Sequence, residues 1–386
     1  MRADRKMVAM FAGGGVAHTS GGVGTLIHYL LEEWSTKPDA LRVRVIDSRG
    51  QGGIGSMVYS FLKALGLLLY MKVTGQLGVI HAHMTTRGSA VRKSIFGLLG
   101  NLLGVPVIMH LHGADFQEFY ENLPGPCRKA IRFALSRARF VVVLGGGWRK
   151  LLVSDMGISP DKIVVVLNGV PRPVDTDPVD TEPATRQRGE AVRIVFLGRL
   201  GERKGVPELL EALRSPELLS RPWTATIAGD GAVEHFREVV SKAGLQDRVT
   251  LPGWINRATA SGLLRKADIF VLPSHHEAMP MAILEALAHG VAIVTTPVGA
   301  IPEFLTDGAT ALLVPPGMSG RLAEAIVRLI DDAEERERLG AAGNEVFRAS
   351  LDISAVADRI LALHRTAMRV DRGPKNVFPE TSSGGA

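Results

Sequence analysis

The sequence predicts an α/β protein made of two doubly wound domains in tandem. Three observations predict it: strand-like apolar runs alternating with helical patterns up to residue 170, an abrupt break, and a restart of the same alternation at residue 192. The first set of runs is VAMFA, RVRVID, GVIHAHM, PVIMHLH, RFVVVL and KIVVVLN. Strands inside a parallel sheet are buried on both faces and therefore read as uniformly apolar, and the longer patterns between them are the crossover helices. The break is PRPVDTDPVDTEPATRQRGEA, residues 171–191, rich in Pro, Asp and Thr without apolar periodicity, which reads as an exposed connector. The second set is VRIVFLGRL, WTATIAGDG, RVTLPG, IFVLPS, AIVTTP and ALLVPP, with GVPELLEALR and MAILEALAHG as helices between them. A length of 386 residues also favours two cores over one. The expected division is a first domain over 1–170, the connector, and a second domain over 192–353. A helix over 354–370 turns back toward the first domain, and a disordered tail follows over 371–386. Ligands of such folds gather at the carboxyl ends of the strands, here in the cleft between the two domains.

Apolar residues make up 46% of the chain and charged residues 22%, a globular composition with no short repeat or heptad. The single cysteine, Cys127, excludes an internal disulfide, and no leader precedes the first strand, so a cytoplasmic location is expected. The net charge of +6 is uneven. Residues 1–173 hold about 21 Lys and Arg against 10 Asp and Glu, whereas the rest of the chain is net acidic. Such a half suits phosphates on nucleic acid, an anionic membrane surface or a phosphorylated substrate. MVYSFLKALGLLLYMKV, interrupted by Lys63, falls short of an uninterrupted span of about 20 residues and reads as a surface or core helix.

Three stretches carry candidate chemistry. GGGVAHTSGGVG, Gly13 to Gly24, lies between the first strand and a helix-like TLIHYLLEEW. Asp47 ends the second strand where a ribose-binding acid would stand, but the glycines do not complete a GxGxxG, so a nicotinamide site is not supported. A Gly-rich turn before a helix still offers backbone N–H groups and a positive dipole end to an anion. The alternative is that the glycines only let strand and helix pack closely. GRLGERKG follows the first strand of the second domain, placing Arg199 and Lys204 where a fork and a compact charge could neutralise a diphosphate. A solvated surface pair is the alternative. In residues 267–303, Glu277 follows a strand and a Pro-Ser turn, and Glu285 stands eight residues later on a helix. That separation is near two helical turns, so both carboxylates can face one ligand. Otherwise Glu277 caps the helix and Glu285 faces solvent.

Glu277 and Glu285, with seven residues between them, resemble the EX7E motif of the retaining glycosyltransferases of family 4. The surrounding FVLPS, EALAHG, TPVGAIPE and LLVPPG match that family in order, as do GRLGERKG, IAGDG, LNGV and SGGVG. The likeness runs from residue 7 to about 365 and is strongest after residue 192. It implies the GT-B fold, two Rossmann-like domains facing across a cleft. It also implies that Arg199 and Lys204 hold the donor diphosphate, Glu285 the nucleoside ribose and Glu277 the hydroxyls of the transferred sugar. Gly21, Gly22 and Gly24 would close over the diphosphate from the opposite domain, and His112 in HLHGAD would reach the sugar. The catalytic set is thus Glu277, His112, Arg199 and Lys204, without a metal. This chain departs from the family in lacking a proline ahead of the Gly-rich loop, in having Gly145 where a serine is usual, and in having Pro171 after NGV.

The implied reaction is retaining transfer of a hexosyl group from a nucleotide-diphosphate sugar, UDP-hexose or GDP-mannose, to a hydroxyl. The expected acceptor is a glycan or glycolipid, with no separate cofactor and no nucleic acid. Arg87, Arg92, Lys93, Arg128, Lys129 and Arg132, with the apolar stretch at Leu65 to Leu69, suit a lipid-linked acceptor and a peripheral position at the inner face of the membrane. A same-fold phosphorylase or epimerase, and a non-catalytic nucleotide-sugar or anionic-lipid module, are the competing readings. Three motifs are set aside. DTD, Asp175 to Asp177, imitates the metal-binding DxD of the other glycosyltransferase fold but lies in the connector. HEAMP has Pro280 where HExxH needs its second histidine. His81 and His83 supply two ligands on one strand face, whereas zinc needs at least three.

Overall fold

The computed structural model describes residues 6–13, 21–173 and 191–369. Most of the connector with Asp175 and Asp177, the middle of the Gly-rich stretch and the C-terminal tail lie outside the described residues. The first sheet comprises β1 (Met7–Ala12), β2 (Arg42–Asp47), β3 (Leu77–Met84), β4 (Val107–Leu111), β5 (Phe140–Val143) and β6 (Ile163–Val165). Its order is β2-β1-β3-β4-β5-β6, with every pair parallel. The second comprises β7 (Val192–Leu197), β8 (Trp223–Ala228), β9 (Val249–Gly253), β10 (Ile269–Leu272), β11 (Ala292–Thr295) and β12 (Leu312–Leu313). Its order is β12-β11-β10-β7-β8-β9, again parallel. Two six-stranded Rossmann-like sheets are the result. The run ALLVPP yields only a two-residue edge strand, because Pro315 and Pro316 have no N–H to continue the ladder.

Crossover handedness sorts the helices of the first domain. They are α1 (Gly22–Ser35), α2 (Ile54–Val73), α3 (Gly88–Leu102), α4 (Phe116–Glu121), α5 (Gly125–Arg137) and α6 (Gly146–Ser154). The step from β1 to β2 runs one way along the sheet and the later steps run the other, so α1 lies on one face and α2, α3, α5 and α6 on the opposite one. Alternation along β1 shows both faces. Val8, Met10 and Ala12 share a core with Leu26, Ile27 and Leu30 of α1, whereas Ala9 and Phe11 share one with Leu68 of α2 and Phe96 of α3.

The second domain adds α7 (Val206–Leu213), α8 (Pro216–Leu219), α9 (Val233–Lys242), α10 (Arg257–Lys266), α11 (Met281–Ala288), α12 (Ser319–Asp331) and α13 (Ala333–Val346). A π-helical turn, Phe347–Leu351, then hands the chain to α14 (Ile353–Met368). Asp352 caps α14 by accepting from the N–H of Ser354. Although α14 follows the second domain in sequence, it packs on the α1 side of the first. Trp34 Nε1–H donates to the carbonyl of Ala357 at 3.1 Å, and its ring stands edge-on to His364 at 5.7 Å. Backbone bonds tie Val170 to Leu351 and Ile353, both at 3.0 Å, where the two crossings between domains meet.

Trp34 is 4% exposed, so its removal leaves a cavity under α14. Trp34→Ala should cost about 3–5 kcal/mol locally. Amide exchange in α14 should then accelerate on the order of 100-fold or more while the β7 to β11 amides keep their protection. Unchanged exchange in α14 would show that other contacts dock this helix.

Candidate active site

The rim of the second sheet is built on close backbone approaches. After β7, residues Gly198 to Gly205 fold back over the end of β10. Gly205 has φ +69°, and a Cβ there would stand 2.0 Å from the carbonyl oxygen of Pro273, so only glycine permits this crossing. The preceding turn, Glu202–Lys204, thereby delivers Lys204 to Glu277. Lys204 Nζ donates to Oε1 of Glu277, and Ser274 Oγ–H donates to the same oxygen at 2.8 Å. Glu277 is 7% exposed, and burying a carboxylate is costly unless it is paired and hydrogen-bonded in this way. From the other side, the TPVGAIPE turn approaches at Gly299, whose φ is +61° and whose added Cβ would lie 2.0 Å from the carbonyl oxygen of Glu277.

Neither glutamate follows its structural alternative. The N-cap of α11 is Pro280, with no side-chain cap bond, so Glu277 does not cap the helix. Glu285 accepts a hydrogen bond on Oε1 from the hydroxyl of Tyr29, at 2.8 Å, across the domain boundary. Burial raises its pKa, and the Tyr29 bond opposes that shift.

The cleft holds two adjoining cavities of about 800 and 510 Å³, within the range of small-molecule sites. Gly24 and Glu285 line the larger one, and His112, Lys204 and Glu277 the smaller. Gly21, Gly22, Arg199 and Asp230 are among the residues that line both. Gly21 is the N-cap of α1, and Gly22 and Gly24 already belong to its first turn, so the free N–H groups and positive end of this helix lie beside Arg199.

Two features escaped the sequence reading. Tyr29 shares a helix face with Gly22 and Thr25, which is the only signal that could have placed it at the cleft. Its ring is covered by the Arg257 guanidinium at 4.3 Å, and Arg257 also pairs with Glu32 at 3.1 Å. Burial and the neighbouring Glu285 charge push the Tyr29 hydroxyl far above its ordinary pKa, so it stays protonated and donates. The second feature is a cluster of five buried histidines. His81 Nδ1 and His364 Nε2 lie 2.8 Å apart, His81 Nε2 and His110 Nδ1 3.3 Å, and His83 Nδ1 and His112 Nε2 2.9 Å.

The fold therefore brings His110 to the pair His81 and His83, with nitrogens of all three within 4.8 Å of one another. Their rings are stacked at 24° for His81 with His83 and 8° for His81 with His110. His81 Nε2 and His110 Nδ1 already face each other, and both nitrogens of His81 are engaged by neighbouring imidazoles. Burial holds all five imidazoles neutral, with His81 and His112 pushed down to about 3.

Lys93 corrects the sequence reading. It is fully buried rather than part of a basic surface, donating to the carbonyl of Ala12 at 2.8 Å and to Ser48 Oγ. Burial lowers its pKa to about 7.

The first domain, residues 12–169, matches the family model described as a glycosyl transferase 4-like domain, and residues 191–332 match that of glycosyl transferases group 1. The α-D-kanosaminyltransferase of Streptomyces kanamyceticus is 27% identical over 74% of this chain and 76% of its own length. The phosphatidyl-myo-inositol mannosyltransferase of Mycobacterium leprae is 32% identical over 51% of this chain and 53% of its own. Among solved structures, HepE of Anabaena in complex with UDP superposes with a TM-score of 0.72 at 18% identity, over 94% of this chain and all of that one. With two parallel sheets facing across the cleft in the GT-B arrangement and a family model on each, the chain belongs to the group 1, family 4-like glycosyltransferases.

Proposed function

We propose that the cleft moves a hexosyl group from a nucleotide-diphosphate sugar, UDP-hexose or GDP-mannose, to a hydroxyl with retained anomeric configuration. One observation carries this reading: Glu285 lines one cavity and Glu277 the adjoining one, and Arg199, Asp230 and the N-terminus of α1 line both. A nucleoside fits on the Glu285 side, a sugar on the Glu277 side, and the diphosphate between them, against Arg199 and the N–H groups of α1. As the anomeric carbon to oxygen bond breaks, the sugar becomes cation-like and the diphosphate departs with its negative charge. Arg199, Lys204 and the α1 amides are preorganised to stabilise that charge without reorganising. No side chain is placed as a covalent nucleophile, so the acceptor attacks from the face the diphosphate leaves, and a phosphate oxygen takes its proton. Neutral His112 and Glu277 orient the sugar hydroxyls, and the closed domains keep water from the donor.

The acceptor side of the reading rests on α2. Within the described residues it is the one helix long and apolar enough to cross a membrane. Ala64, Leu68 and Met71 are nevertheless in the protein core, which leaves the helix lying along the domain. Its outer side exposes Val58, Tyr59, Leu62, Leu69, Tyr70 and Val73, the last at 87%. The same layer exposes Ile95 of α3 and, on α5, Phe133 beside Arg128, Lys129 and Arg132. An apolar face edged by cations suits the headgroup region of an anionic bilayer. It favours a lipid-linked glycan acceptor and a peripheral place on the cytoplasmic side of the membrane.

Hydrolysis of a panel of UDP-, GDP- and ADP-sugars by the purified protein should identify the donor. Arg199→Ala and Lys204→Ala should each lower turnover on the order of 100-fold. Turnover should survive EDTA. Near-normal rates in both folded variants, or full dependence on added Mn²⁺ or Mg²⁺, would remove the side-chain clamp.

Co-sedimentation should show binding to anionic vesicles that falls as salt rises and is much weaker for neutral vesicles. Replacing Val58, Leu62 and Leu69 together by Ser should abolish it, since each exposed side chain buries apolar area in lipid. No sedimentation of the full chain at low salt would point to a soluble acceptor.

A further inference from the structure

The hydrogen bond from Tyr29 to Glu285 is the one side-chain bond to that carboxylate among the described residues, and it comes from the opposite domain. Tyr29 is 2% exposed, yet it borders the larger cavity together with Glu285. A carboxylate has two oxygens and about four acceptor positions. Tyr29 occupies Oε1, which leaves Oε2 for a ligand in the cavity. A Glu side chain that is otherwise free to rotate about three bonds is thereby held in one orientation. The tyrosine is itself held. Arg257 lies over its ring at 4.3 Å and is anchored to Glu32, one turn further along α1. A ring clamped between the domains can present its hydroxyl in only one place.

We propose that Tyr29 is a positioning residue for the nucleoside: it fixes Glu285 so that the second carboxylate oxygen meets the ribose diol. This rests on the nucleotide-sugar reading above and adds the first domain to recognition of the ribose. Because the two residues belong to different domains, the ribose acceptor is assembled only in this closed arrangement. Affinity for the nucleoside portion therefore depends on closure. A ligand without the diol gains nothing from the fixed carboxylate.

The test is isothermal titration of the full chain with UDP, GDP and ADP, then with the 2′-deoxy form of whichever binds most tightly. Tyr29→Phe keeps the ring under Arg257 and removes only the hydroxyl. A hydrogen bond to a charged group contributes enough that the wild-type chain should prefer the ribo form, and Tyr29→Phe should weaken that form about 10- to 100-fold. Its binding of the deoxy form should change much less, so discrimination between the two shrinks. A purely structural loss would weaken both forms equally and keep their ratio, which would overturn the proposal. Equal or tighter binding of the ribo form by the variant would overturn it as well. No binding of any nucleotide by the wild-type chain would remove the parent reading, and this one with it. Circular dichroism melts of the variant matching wild type show that the fold is kept, and Glu285→Ala, which removes both carboxylate oxygens, supplies the second arm. If the two residues act through one bond, the double variant should be no weaker than Glu285→Ala alone, and additive losses would count against the bond.

Discussion

A buried carboxylate at the carboxyl edge of β10 sets the conditions that the rest of the cleft must meet. Glu277 has little water around it, so its charge is tolerable only beside Lys204 and Ser274. Lys204 reaches it only because Gly205 lets one loop cross the end of β10, and Gly299 lets another press against its backbone. The two glycines and the ion pair therefore form one unit. Moving any of them displaces a charge that cannot be left unpaired. The same unit places Arg199, which lines both cavities, because Arg199 lies in the loop that Gly205 ends.

Much of this was legible in the sequence, for a physical reason. Central parallel strands are buried on both faces and announce themselves as apolar runs, so β1, β3, β4, β7, β10 and β11 stand out. Prediction fails at the edges, where KIVVVLN contracts to β6 and ALLVPP to β12. The positions of Glu277 and the basic pair were legible because they follow strand ends, and that of Glu285 because it stands eight residues after Glu277 on a helix. Tyr29 was not, because its partner is 256 residues away and nothing local marks the contact. Lys93 misled because a lysine reads as surface unless the carbonyl and hydroxyl that receive it are known.

α2 illustrates another limit. It is apolar around much of its circumference, so periodicity gives no clear inner face, and such a helix suits either a core or a membrane. The fold decides which residues are taken. Ala64, Leu68 and Met71 fill the groove over β1 to β3, and the remaining apolar side chains stay outside. Hydrophobicity here is in excess of what folding uses, and that excess is what distinguishes an interaction surface from a core helix.

The glycine at position 145, where the family usually has serine, lies against a carboxylate of the second domain. Glu303, at the end of the TPVGAIPE turn, reaches across the cleft to the N-terminus of α6, where its Oε1 accepts from the N–H of Gly147 at 3.1 Å. A Cβ on residue 145 would stand 2.9 Å from that carboxylate oxygen. A side chain at 145 would make Glu303 shift its carboxylate, which here complements the positive end of the helix. Tyr29 with Glu285 and Gly147 with Glu303 are therefore two acid contacts of one kind, each placing a carboxylate of the second domain on a donor of the first. The two domains thus meet through polar bonds across the cleft and through α14, which packs on the first domain behind it.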